Sequence, residues 1–396
     1  MFTHTDSCNH HGNGSNHSSQ QAKEEVLLAL AKVKDEKGRS LQELNMLHSL
    51  EVKEDGSVHI KLNLTNDYRK VKSLVQERLK SEVPWAAKIE VAMAPAPQQA
   101  KPTHHLKKGL QKVKNIIAVS SCKGGVGKST VAVNLAYAIS SMYMDYSVGI
   151  FDADLYGPSL PTMISPENTQ LFQDEHDPTM IAPIEFSGVK AMSYGFVAQN
   201  AAKGHGAAIM RGPIASNLVN QLIGNTNWGE LDFLIVDFPP GTGDIQLTLG
   251  QEVNLKAAVI VTTPQKLAYV DVIKGIEMFD QLKVPTIAVV ENMSYFKCGK
   301  CDEKHKIFGH GYTQQLKDGF GIKNSFEIPI IEDIASMSDK GTPFVLTLPE
   351  TTDLVQVYHS LANSVINEIA NLEKSGPRPD VNFDPKESMI NIRHGG

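Results

Sequence analysis

The chain has 396 residues, a hydrophobic share of 41%, a charged share of 21% and a formal net charge of -6. That length implies more than one domain, the composition is that of a globular protein, and the mild acidity gives no reason to expect bulk binding to nucleic acid or anionic membrane. No apolar run reaches the ~18 residues of a membrane helix, and the 4 cysteines, Cys8, Cys122, Cys298 and Cys301, are too few for a disulfide scaffold and suit a reducing compartment, the cytoplasm by default.

Residues 1–21 are rich in Asn, Ser, His and Gly. Such a stretch predicts a disordered tail without a signal-peptide core. His4, Cys8, His10, His11 and His17 could hold a metal only loosely, since nothing there fixes ligand geometry; a solvated tail is the simpler reading. Residues 22–93 read as a small α-β-β-α-β domain. Its first helix, 24–34, carries the stripe Val26, Leu27, Leu30 and Val33, and strands 47–52 and 58–64 flank the hairpin signal Asp55-Gly56. A second helix, 68–79, places Val71, Leu74, Val75 and Leu79 on one face, and a last strand covers 87–92. Residues 94–112 contain Pro95, Pro97 and Pro102 and read as an extended linker.

The domain expected over 113–373 opens on the apolar run 116–120, followed by Ser121-Cys122-Lys123-Gly124-Gly125-Val126-Gly127-Lys128-Ser129-Thr130 and then a helical segment, 131–142. Strand, glycine-rich turn and helix form the context of a phosphate-binding loop. The glycines let backbone N–H groups of 124–130 point at an anion, and the helix N-terminus adds partial positive charge. Lys128 would reach the terminal phosphates, and the Ser129 hydroxyl would ligate Mg²⁺. Four more short apolar runs follow, at 148–152, 233–237, 257–263 and 286–292, with helical segments at 214–222 and 270–281. Alternating strand and helix predicts an α/β fold with a doubly wound, mostly parallel sheet, whose ligands sit at the carboxyl ends of the strands.

The polar residues fall at those ends. The run at 148–152 exits through Asp152-Ala153-Asp154, where Asp154 is placed to orient a water or accept its proton and Asp152 to support it near the magnesium. The run at 233–237 ends in Asp237, a carboxylate placed for Mg²⁺, and continues as Phe238-Pro239-Pro240-Gly241-Thr242-Gly243-Asp244. The Gly241 N–H is placed to sense a γ-phosphate, with the prolines as a stiff lever. Asn292, at the end of the run at 286–292, has an amide able to pair with adenine. Residues 328–331 read as a further strand and turn, 354–372 as an amphipathic helix packed on the sheet, and 374–396 as a loose tail.

These runs carry a resemblance. The second lysine, Lys123, is similar to the signature lysine of the deviant P-loop ATPases, the MinD, ParA, ArsA and nitrogenase iron protein group. The ordered set Lys-Gly-Gly-Val-Gly-Lys-Ser, Asp-Ala-Asp-Leu-Tyr-Gly-Pro-Ser, Met210-Arg211-Gly212-Pro213, Asp-Phe-Pro-Pro-Gly-Thr-Gly-Asp, Thr263-Pro264-Gln265 and Glu-Asn-Met-Ser-Tyr-Phe resembles the Mrp/ApbC family of iron–sulfur carrier ATPases. Cys122 and Lys266 depart from the usual pattern without removing a phosphate or metal group. The resemblance implies a homodimer that binds ATP and Mg²⁺, with Lys123 reaching the partner's nucleotide. Residues 22–93 resemble the small iron–sulfur assembly domain often fused ahead of such ATPases. There the family's Cys-Pro is replaced by Thr65-Asn66-Asp67, which favours an adaptor or docking role.

Cys298-Gly299-Lys300-Cys301 offers two thiolates on one turn. By spacing alone it could be half of a metal centre completed across a two-fold axis, a zinc knuckle with His305 or His310, a redox dithiol, or two surface cysteines. The family resemblance implies a [4Fe-4S] cluster bridging two subunits through Cys298 and Cys301, delivered to apo-protein clients and exchanged with cluster-assembly proteins. A second reading, a MinD/ParA-like positioning switch, shares Lys123, Lys128 and Asp237 and needs neither cysteine. Neither reading calls for nucleic acid or membrane.

Overall fold

The computed structural model describes residues 19–34, 38, 40–41, 46–53, 55–62, 68–93, 107–201, 212–331, 337 and 340–374. The histidine-rich tail, Thr65-Asn66-Asp67, the prolines of the linker, Met210, Arg211 and the segment after Lys374 lie outside them. Contacts divide the chain into two units, 1–94 and 95–396.

The first unit runs α1 (Ser19–Ala31), β1 (Leu47–Val52), β2 (Ser57–Leu62), α2 (Tyr68–Glu82) and β3 (Lys88–Met93). Its sheet has the order β1-β2-β3, with β1 antiparallel and β3 parallel to β2. Gly56 takes φ +78° in the hairpin turn, and the Ser57 N–H donates to the Asp55 carboxylate at 2.9 Å. The helix faces are narrower than the sequence pattern suggests. Val26, Leu30 and Val33 are buried while Leu27 faces outward; Val71, Val75 and Leu79 are buried while Leu74 faces outward. In α2 the buried apolar residues recur every fourth position, at 71, 75 and 79, while around α1 they fall at 26, 29, 30 and 33; Leu27 and Leu74 lie outside both stripes.

The second unit runs β4 (Val113–Ser120), α3 (Lys128–Met142), β5 (Val148–Asp152), α4 (Leu160–Met163), β6 (Ile184–Phe186), β7 (Val189–Ser193), α5 (Tyr194–Ala201), α6 (Gly212–Asn225), β8 (Leu231–Asp237), α7 (Asp244–Glu252), β9 (Leu255–Thr262), α8 (Lys266–Gln281), β10 (Thr286–Glu291), β11 (Phe296–Lys297), β12 (Lys304–His305), α9 (Tyr312–Phe320), β13 (Asn324–Glu327) and α10 (Asp353–Lys374). An 8-stranded sheet has the order β13-β10-β9-β4-β8-β5-β7-β6. Every pairing in it is parallel except that of β6 with β7. Alternate residues of each central strand serve opposite faces. Ile117 and Val119 of β4 pack with α3 and α10; Ile116 and Ala118 pack with α6, α7 and α8. Both faces are covered, which is why the central strands read as unbroken apolar runs.

Two expectations are corrected. The strand near 328–331 is β13 at 324–327; Ile330 makes only an isolated bridge to Phe296. The linker ends before 112, because a 3₁₀ turn at Lys108–Leu110 already belongs to this unit and Leu110 is buried in its core.

The chain leaves β4 toward β5 on one side and later returns to lay β9 and β10 on the other. The strand order therefore reverses at β4, and a crevice opens at its carboxyl end.

Candidate functional site

The turn between β4 and α3 lies in that crevice. Gly125 and Gly127 take φ +76° and +82°, a left-handed conformation that side chains resist. A Cβ placed on Gly124 or Gly125 would meet no atom within 4 Å, so the backbone there faces open space. The cradle is a pocket of about 540 Å³ lined by the turn, by Asp154 and Ser159 beyond β5, by Pro240 beyond β8 and by Met293 beyond β10. An open glycine cradle at the start of a 15-residue helix fits a phosphate chain.

Lys128, the first residue of α3, is buried, and its Nζ is paired with Asp237 Oδ1 while lying 3.3 Å from Ser129 Oγ. Asp237 ends β8, and burial raises its pKa while Lys128 opposes that rise. A lysine, a hydroxyl and a carboxylate thus converge at the foot of the cradle. Ser129 and Asp237 fit a magnesium ion, and Lys128 fits the phosphates once it parts from Asp237. Lys123 lines the cradle and makes no ion pair among the described residues.

Asp152 and Asp154 divide their work. Asp152 is 2% exposed and is pushed up to about 7, first by burial and then by the neighbouring charge of Asp237. Its carboxylate accepts the N–H groups of Asp154 at 3.0 Å, Ser159 at 2.9 Å and Leu160 at 3.1 Å, and the Ser193 hydroxyl at 3.0 Å. It holds the loop that presents Asp154. Asp154 is half-buried, accepts the Gly157 N–H at 3.1 Å and faces the cradle.

The loop after β8 is held at both ends. Gly241, at φ +94°, donates its N–H to Ser121 O at 3.0 Å. Gln246 of α7, 4% exposed, donates Nε2 to the carbonyls of Pro239 at 3.1 Å and Pro240 at 2.6 Å. The sequence reading passed over Gln246 and Ser159, whose Oγ lies 3.2 Å from Ser129 Oγ. Asn292 donates Nδ2 to Val126 O at 2.9 Å, so that one edge of its amide already holds the glycine turn.

The cysteine pair lies on a separate hairpin, β11 against β12, with Phe296 opposite His305. The Cys298 N–H donates to Glu303 O and the Asp302 N–H to Cys298 O, both at 2.9 Å. Cys298 is half-buried and Cys301 exposed. The N–H groups of Lys300 and Cys301, with the Cys301 side chain, hold the Cys298 thiol below its ordinary range. Among the described residues, no three His, Cys, Asp or Glu side chains gather to hold a metal. Cys122 is a packing residue, as its position suggests. Its sulfur abuts Gly275 of α8, and burial pushes its thiol up to about 11.

Residues 112–366 match the family described as NUBPL iron-transfer P-loop NTPase, of the ParA class. This chain belongs to that family. Residues 23–92 match a second family, iron–sulfur cluster assembly protein. The NUBPL-type chain is 45% identical over 362 residues to the rice Fe-S cluster assembly factor HCF101, chloroplastic, covering 90% of this chain and 66% of that protein. It therefore spans just under two-thirds of that relative. It is 43% identical over 261 residues to the Escherichia coli iron-sulfur cluster carrier protein, covering 66% of this chain and 68% of that one. A solved nucleotide-binding protein from Archaeoglobus fulgidus in complex with ADP is 36% identical, with a TM-score of 0.52 over 61% of this chain and 91% of that chain. No helix among the described residues is long and apolar enough to cross a membrane.

Proposed function

We propose that this NUBPL-type chain is an ATP-hydrolysing iron–sulfur carrier that holds a [4Fe-4S] cluster between two copies of itself and passes it to apo-proteins. One observation carries the reading: a complete phosphate cradle shares its chain with an exposed C-x-x-C turn that offers two thiols and gathers no third ligand among the described residues. Four-thiolate ligation then requires a second copy, and a two-fold axis supplies it. The relatives named as cluster carrier and cluster assembly factor agree with that cargo.

The residues divide the work. The N–H groups of 124–130 and Lys128 hold the phosphates, while Ser129 and Asp237 hold Mg²⁺, whose charge would neutralise phosphate oxygens. Lys128 must first leave Asp237. Asp154 orients the attacking water or takes its proton, and Asp152 fixes the loop behind it. Lys123 reaches the partner's nucleotide. Gly241 exchanges Ser121 O for the γ-phosphate, and Asn292 turns its free amide edge to adenine. Residues 22–93 serve as an adaptor for clients or assembly proteins. Cysteine usage fits a reducing compartment, the cytoplasm on composition alone; the rice relative carries a chloroplastic name.

Anaerobic reconstitution with ferrous iron and sulfide tests the cargo. The wild-type chain is expected to gain the thiolate-to-iron absorbance band as a dimer. Cys298→Ala is expected to gain none while still binding ATP. Equal uptake by both, or an ATP-hydrolysing wild type that takes up nothing, leaves the positioning-switch reading in its place.

A further inference from the structure

The chain leaves β10 through Glu291, Asn292, Met293 and Ser294, and this turn borders both sites. Toward the nucleotide, Asn292 holds Val126 O, and its amide occupies the space where a Cβ on Gly127 would fall. Met293, at φ +56°, lines the cradle. In the other direction the turn leads into the hairpin that carries Cys298 and Cys301, and the chain then returns into α9.

Glu291 closes that excursion at both ends. Its carboxylate, on a residue 3% exposed, accepts Ser294 Oγ at 2.8 Å just before the hairpin and Thr313 Oγ1 in the first turn of α9 just after it. Two backbone bonds tie the same base to the segment after β13: Ser294 N to Ile328 O at 2.9 Å and Ile330 N to Tyr295 O at 2.7 Å. A carboxylate buried on neutral hydroxyls is a less favourable closure than an apolar contact of the same size. What it adds is direction, since two hydrogen bonds fix both ends of the excursion to one rigid strand terminus.

We propose that Glu291 is the positioning residue through which a change in the nucleotide cradle reaches the cysteine hairpin. The inference rests on the carrier reading only for what the hairpin holds. Any shift of Asn292 away from Val126 turns the peptide next to Glu291, and its two hydroxyl partners carry that turn to both ends of the hairpin.

The test uses the full, reduced, metal-free chain. N-ethylmaleimide labelling rates of Cys298 and Cys301 are read by peptide mass mapping, with and without ATPγS. In the wild type the nucleotide is expected to change these rates about fivefold, the lower end of ordinary coupling between sites. Thr313→Val, which removes one hydroxyl at little change in shape, and Glu291→Leu are expected to bring the ratio to about 1, full uncoupling. Glu291→Gln is expected to keep most of it, because an amide accepts from one hydroxyl and donates to the other. A Thr313→Val protein with lower Tm but an unchanged ratio overturns the proposal, since Glu291 would then only stabilise the fold. Wild-type thiols that ignore ATPγS overturn it too. A wild type that shows the ratio but takes up no iron and sulfide counts against the carrier reading alone.

Discussion

In the cradle, Lys128 and Asp237 are buried and paired, Asp152 has four donors, and Gly241 and Asn292 both bond the glycine turn. In the cysteine hairpin, two strands of two residues each carry exposed side chains, and one of the two thiols is exposed as well. The first region has its polar groups bonded within one chain and must open some of those bonds to take a ligand. The second offers two thiols, with no third metal-ligating side chain gathered beside them among the described residues. A region with few buried contacts also opens at low free-energy cost, which would suit the releasable cluster proposed for the hairpin.

The largest effect expected from this contrast is at Lys128. Lys128→Met removes a preorganised cation, so kcat for ATP should fall about a hundredfold or more. The same change strips a buried carboxylate of its partner, which ordinarily costs about 3–5 kcal/mol. Asp237 has its pKa raised by burial, so in the variant it can take up a proton instead. An acid whose folded pKa lies above its unfolded value stabilises most at low pH and loses that stabilisation as pH rises through the folded pKa. The Tm deficit of Lys128→Met should therefore grow from acid toward neutral pH, while iron and sulfide uptake at Cys298 and Cys301 is retained. A variant that loses both functions together would show that the two regions are one.

What was legible in the sequence follows the same division. Strands buried on both faces write themselves as apolar runs, so β4, β5, β8, β9 and β10 and the polar residues at their ends could be read directly. Edge strands could not: β6 and β13 are short and half-covered. Leu27 and Leu74 were placed inside because periodicity fixes a stripe but not its width. Gln246, Ser159 and Glu291 were missed because their contacts, with the Pro239 and Pro240 carbonyls, the Ser129 hydroxyl and the Thr313 hydroxyl, form only once the chain is folded. Glu291 alone left a trace, a carboxylate closing an otherwise apolar strand. Asn292 was read for its chemistry as an adenine partner, whereas its contact with Val126 is a tertiary fact.

A middle-sized effect is expected at Gln246, which keeps the cradle side finished. Gln246→Leu leaves the Pro239 and Pro240 carbonyls without their donor. Two hydrogen bonds at roughly 1 kcal/mol each loosen the loop that presents Gly241. The expected loss is about tenfold in kcat with little change in KM, the mark of an interaction that matters in the transition state. Equal changes in KM alone would place Gln246 in ground-state binding and weaken the picture of a latched loop.

The smallest effect probes the packing behind the cradle. In a helix interior, Gly→Ala normally stabilises by about 0.5–1 kcal/mol, because alanine has less backbone freedom to lose. At Gly275 of α8 the new methyl would fall on the sulfur of Cys122, and overpacking of a fitted site costs about 1–3 kcal/mol. The net sign is destabilising, by about 1 kcal/mol. Cys122→Ala removes the sulfur, so in that background the same Gly275→Ala change should turn stabilising by a few tenths to about 1 kcal/mol, following the helix preference alone. Denaturation midpoints of the two single variants and the double variant read this as a coupling energy. Cys122 belongs to the glycine turn but neither it nor Gly275 lines the cradle, so ATP turnover should be nearly constant across the cycle. A coupling near zero would mean that the glycine turn is not braced by α8, and that the cradle is less self-contained than its buried bonds imply.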